Sequence, residues 1–175
     1  SWRHGATAPG PRNHVFTISG PRLPVAKFRG ARRNLTIILA HAPTAEASDD
    51  DRNAFYALRN STTNECSEVD TKVVFIDANA GPGVSRQGWG HIMGPHGVPF
   101  PRDVNQYPNC VKFGQYCYDH NLCIGHTWFA HKPRHKHSFY PNASHTGKPR
   151  DIDHVLIDGR QKSGLIDVKV DPGAP

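Results

Sequence analysis

One run constrains the fold of this chain more than any other: Lys72-Val73-Val74-Phe75-Ile76-Asp77-Ala78-Asn79-Ala80, closed by Gly81-Pro82-Gly83. Four apolar, mostly β-branched residues read as a buried strand, and the Gly and Pro behind them read as a turn. A carboxylate and an amide therefore stand two residues apart, just past a core strand. On extended backbone, side chains at i and i+2 project to the same side. Asp77 and Asn79 are thus expected to face one pocket, where a carboxylate can hold a cation or a water and an amide can orient a phosphate. The structural alternative is a plain turn, because Asp and Asn bond to their own backbone and tolerate unusual dihedrals. The order of the other segments decides between the two.

Leu35-Thr36-Ile37-Ile38-Leu39-Ala40 predicts a strand, stopped by His41-Ala42-Pro43-Thr44. Ser48 followed by Asp49-Asp50-Asp51 supplies a helix cap and an acidic first turn. Ala54, Phe55 and Leu58 then fall at helical spacing, so a helix is predicted over 49–60. A second is predicted over 109–120, although Gly114 within it costs ~1 kcal/mol relative to Ala. Further strands are expected at 122–124, 137–140, 152–157 and 165–170. Strand, helix and strand in this order predict a layered α/β or α+β domain. Residues 81–108 form a long loop, which inside a compact domain is usually functional or disordered.

A length of 175 residues suits one domain, yet only 37% of them are hydrophobic, with 15 Pro and 16 Gly. Such a chain is ordered in patches between long loops, or is an incomplete domain. Residues 1–34 are rich in Gly, Pro and Arg, with one short apolar patch at Val15-Phe16-Thr17-Ile18. The net charge of +6 favours polyanions such as nucleic acid or an anionic surface. No apolar run reaches the ~18 residues that span a bilayer. Cys66, Cys110, Cys117 and Cys123 include no C-x-x-C pair, so they read as reduced thiols of an intracellular protein, nuclear or cytoplasmic.

The ordered set Asn34-Leu35-Thr36-Ile37-Ile38, Ala42-Pro43-Thr44, Asp77-Ala78-Asn79-Ala80, Gly94-Pro95-His96-Gly97, His120-Asn121-Leu122-Cys123-Ile124, Thr127-Trp128-Phe129, His135-Lys136-His137-Ser138-Phe139 and Ile152-Asp153-His154-Val155 resembles one family. That family is the endonuclease/exonuclease/phosphatase superfamily, in the branch of LINE-type retrotransposon endonucleases and the craniofacial-development-protein-2-like sequences derived from them. The resemblance covers about residues 20–175, leaving 1–19 as a poorly ordered or remnant segment. It implies an α/β (α+β) fold, a partial four-layer sandwich of two mixed β-sheets flanked by helices. It implies hydrolysis of DNA phosphodiester bonds with Mg²⁺, a hard ion that takes oxygen ligands, and association with or fusion to a reverse transcriptase.

By position, Asp77 matches the family Asp that activates water, Asn79 the Asn that positions the scissile phosphate, and Asp153 the Asp of the acidic support. His41 stands in place of a phosphate-contacting Tyr, and Phe139 in place of a packing Trp. Ile76 replaces the Gly of the Gly-Asp-Phe-Asn signature. The family's metal-binding Glu and terminal Ser-Asp-His have no match in the sequence, so the chain is expected to be a fragment with activity weak or lost, and the metal ligands are left unassigned. The alternatives are a non-catalytic nucleic-acid-binding remnant and the product of a decayed reading frame. Lys132, Arg134 and Lys136, amid His131, His135, His137 and His145, read as a solvated basic loop that touches phosphates or as an exposed loop with no partner; no helical His pair or Cys pair supports zinc there.

Overall fold

A computed structural model of the chain describes residues 15–18, 24–82, 88–97, 108–140 and 149–171. Strands β1 (Val15–Ile18), β2 (Pro24–Phe28), β3 (Leu35–His41), β4 (Thr71–Asp77), β5 (Leu122–Ile124) and β6 (Asp153–Asp158) form one sheet in the order β1-β2-β3-β4-β6-β5. Only β3 and β4 run parallel; every other pairing is antiparallel. A parallel pair needs a crossover, and helix α1 (Asp49–Glu65) supplies it. Helix α2 (Pro108–Asp119) leads into β5.

The α1 start follows its sequence signals. Ser48 Oγ accepts from Asp51 N at 3.1 Å, and three aspartates occupy the first turn, where the helix dipole favours negative charge. The helix runs past the expected residue 60 because its last turns still bury side chains: Arg59, Thr62 and Thr63 all face inward. In α2, Gly114 has a packing reason. A Cβ there would overlap the Trp89 ring, so glycine lets the indole lie against the helix.

Register explains the core. Ile38, Val74, Leu156 and Ile124 are successive partners across four strands, and all four are fully buried. Phe55 and Tyr56 of α1 and Phe113, Tyr116 and Cys117 of α2 belong to the same apolar cluster. Burying each such side chain is worth ~1.5–3 kcal/mol relative to leaving it exposed. The alternate residues point to the other face. There Leu39 and Phe75, partners in the β3–β4 register, remain 45% and 43% exposed.

The α/β character is as expected, but the described residues contain this one sheet; the second sheet of the expected sandwich is not among them. The first strand of the sheet, β1, lies within residues 1–19. Strand 137–140 is reduced to a single bridge between Phe139 and Arg150, and Phe139 is 43% exposed rather than packed. Residues 165–170 pair with no strand among the described residues: Ile166 is 93% exposed, and Val170 N donates to His135 O at 2.8 Å. All four cysteines are free, and three are buried. Among the described residues no helix is long and apolar enough to cross a membrane.

Candidate active site at the ends of β3, β4 and β6

The open face of the sheet ends in a polar row. His41 is the register partner of Asp77, and Asp77 that of Asp153. Residues directly opposite in a ladder share a face, with Cβ atoms ~4.5–5.5 Å apart. Two carboxylates and an imidazole therefore stand side by side where three strands stop. His41 Nδ1 is 3.5 Å from Asp77 Oδ2, and the two side chains are 70% and 26% exposed. Asp77 and Asp153 both line a cavity of about 460 Å³ that is walled on one side by Leu39, Phe75 and Val155.

Local hydrogen bonds hold this row. The Asp77 Oδ1 atom accepts from Asn79 N at 3.0 Å, and Asn79 takes a positive φ of 46°, a conformation Asn tolerates better than most residues. The chain has left extended geometry by then, so Asp77 and Asn79 do not share a face as alternation predicted. Asn79 Nδ2 donates instead to Ala42 O at 2.9 Å and ties the β3 and β4 exits together. On the far side, Ser138 Oγ accepts from Asp153 N at 3.0 Å and from Ile152 N at 3.2 Å, fixing the start of β6.

The basic loop divides. Lys132 and Arg134 are exposed and available to phosphates, but Lys136 is buried. Its ammonium donates to His96 O, so it belongs to the interior, and burial pulls its pKa down against the opposing pull of Asp151. His131 is bound to Asp167 at 2.6 Å, while His145 lies outside the described residues.

Sequence reasoning missed a second group. His126, Asp151 and His154 are all buried, and one ligand atom from each lies within 4.8 Å of the others. His126 sits in a 3₁₀ turn, Gly125–Trp128, directly after β5, and His154 points to the helix-covered side of β6. There the His154 ring stacks on Phe113 at 4.7 Å and on His126 at 5.3 Å. Burial holds its pKa below the ordinary histidine value, with Asp151 pulling the other way. The Asp151-x-x-His154 spacing was the available signal, but its third member is 25 residues upstream of Asp151.

No family model matches the chain. It is 26% identical over 166 residues to craniofacial development protein 2 of Bos taurus, covering 93% of this chain and 26% of that protein. The same protein of Tragulus javanicus is 26% identical over 158 residues, covering 90% and 26%. The chain thus spans about a quarter of the length of these curated relatives. Among solved structures, it is similar to NExo, a 3′ phosphatase from Neisseria bound to a product DNA hairpin. That likeness has a TM-score of 0.56 and 15% identity, and covers 87% of this chain and 60% of the other. The likeness to NExo is one of fold, and the likeness to the two craniofacial development proteins is one of sequence.

Proposed function

We propose that this chain carries the phosphodiester-hydrolysing site of a DNA-nicking endonuclease of the retrotransposon type, dependent on a divalent ion. The observation that carries the reading is the facing pair Asp77 and Asp153 at the rim of the cavity. Two such carboxylates offer only hard oxygen donors, so the residues fit Mg²⁺ and not a thiolate-seeking ion. Asp153, with Asp77 opposite it, would hold the ion. When bound, Mg²⁺ supplies charge to the phosphoryl oxygens and acidifies water.

The chain's own groups do the rest. Asp77, immobilised through Asn79 N–H, orients the attacking water and accepts its proton. The exposed imidazole of His41 donates a hydrogen bond to a phosphate oxygen. Asn79 acts by holding the strand exits in place, since one amide hydrogen is committed to Ala42 O. Lys132 and Arg134 steer the DNA backbone. The DNA product held by the fold neighbour supports DNA as the substrate here.

A second reading, DNA binding without cleavage, draws support from the same exposed Lys132 and Arg134 and from the commitment of the Asn79 amide to Ala42. Incubating the chain with a 5′-labelled duplex in Mg²⁺ or EDTA, beside Asp153→Asn, separates the two. Cleavage that needs Mg²⁺ and is lost in the variant supports hydrolysis. A salt-sensitive gel shift with no cleavage by either protein leaves binding alone and overturns it.

A further inference from the structure

We infer that His126 Nε2, the Asp151 carboxylate and His154 Nδ1 form a separate metal site for a zinc-class divalent ion, which ties the Gly125–Trp128 turn to the start of β6 on the helix-covered side of the strand. The inference does not rest on the hydrolase reading, since none of the three residues belongs to the carboxylate pair.

Four observations carry it. The three side chains are almost wholly removed from solvent, at 6%, 3% and 0% exposure for His126, Asp151 and His154. Burying polar groups is costly unless they are partnered. Yet His126 Nε2, Asp151 Oδ2 and His154 Nδ1 each lack a hydrogen-bond partner among the described residues. His126 Nε2 lies 2.7 Å from Asp151 Oδ2 without hydrogen-bond alignment, and His154 Nδ1 lies 3.8 Å from Asp151 Oδ1. Donor atoms of the kinds that metals take are thus gathered around one point and are not satisfied by one another.

The tautomer agrees. His154 Nε2 is 2.7 Å from Ala80 O, and a carbonyl can only accept, so that nitrogen carries the hydrogen and Nδ1 presents a lone pair toward the carboxylate. A backbone carbonyl holding the far nitrogen of a ligating histidine is the usual outer partner at metal sites. Two imidazoles and one carboxylate suit zinc, cobalt or ferrous iron rather than Mg²⁺ or Ca²⁺. All three residues line the 460 Å³ cavity. Of the two lysines that line it, Lys136 has its ammonium on His96 O, and Lys169 lies 3.8 Å from Asp167.

The test uses the whole chain stripped of metal and titrated with Co²⁺, followed by visible d–d absorption, and with Zn²⁺ against a chromophoric chelator. One ion per chain is expected, with a higher melting temperature in Zn²⁺. His126→Asn and Asp151→Asn should each weaken binding on the order of 100-fold or more. His131→Asn, at the exposed pair with Asp167, should leave it unchanged. The inference fails if the folded chain takes up no Co²⁺ or Zn²⁺, or if the His126 and Asp151 variants bind as the parent does. It also fails if His131→Asn abolishes binding. Should the interior variants not fold, X-ray absorption of the zinc-loaded parent decides: two imidazoles with oxygen donors support the site, and sulfur or oxygen alone in the first shell overturns it.

Discussion

The two faces of the sheet are built from alternate residues of the same strands and have opposite characters. On the covered face, the row Ile38, Val74, Leu156 and Ile124 is sealed beneath two helices. On the open face, Leu39 and Phe75 stay nearly half exposed, and the strands end in His41, Asp77 and Asp153. A single-residue step along β4 separates a packed apolar side chain from a solvent-reaching one. The lesson is a division of labour: one face supplies stability, and the other, at its rim, presents groups that water and a substrate can reach.

The largest effect on this contrast should come from the covered side. Phe113→Ala removes a fully buried ring and is expected to cost ~3–5 kcal/mol, whereas Phe75→Ala should cost about 1 kcal/mol or less. Urea melts of the two variants check this, and equal losses would break the comparison. Next comes Arg59, wholly buried among the core residues. Its Nη2 donates to Tyr116 Oη at 3.1 Å, its guanidinium lies 4.7 Å from that ring, and its Nε and Nη1 lack partners among the described residues. Arg59→Met should leave stability unchanged or raise it by ~1–4 kcal/mol, because a dehydrated cation is removed. A loss of that size would show that the ring contacts outweigh desolvation.

A smaller effect lies at the opposite end of β3 and β4. Burial of Asp70 alone would raise its pKa, but hydrogen bonds from Lys27, Asn34 and Thr36 carry it below the ordinary carboxylate value. A depressed folded pKa means that this contribution is complete above the ordinary carboxylate range, near ~3.9. It is lost as pH falls through the folded value. Asp70→Asn should therefore flatten the acid limb of melting temperature against pH. The smallest expected change is that of Leu39→Ser on the open face, within about 1 kcal/mol in stability, with reduced self-association by light scattering because an apolar patch shrinks.

Much of this was legible in the chain. The β-branched runs at β3, β4 and β6 announced themselves, as did the capped, acidic start of α1, because local pattern and tertiary role agree there. β2 did not: it begins with Pro24 and contains Lys27, and its place depends on pairing with β3. The stretch 165–170 alternates like a strand but has none beside it among the described residues. Asp77 and Asp153 were readable as candidates from motif order, yet their opposition is a matter of register over 75 intervening positions. Asn79 was misaimed because the i and i+2 rule holds only on extended backbone, and its φ is positive. Of the histidines that drew notice, His131, His135 and His137 are half-buried, whereas the buried His126 and His154 meet through the β5–β6 pairing.

The most direct test of the account is nicking of supercoiled plasmid in Mg²⁺ by the parent chain and by Asp77→Asn, with the melting temperature of each measured on the same preparation. The account predicts Mg²⁺-dependent nicking that falls on the order of 10³-fold in the variant while melting stays within a few degrees of the parent. Nicking that survives Asp77→Asn, or a folded parent that never nicks, would contradict it.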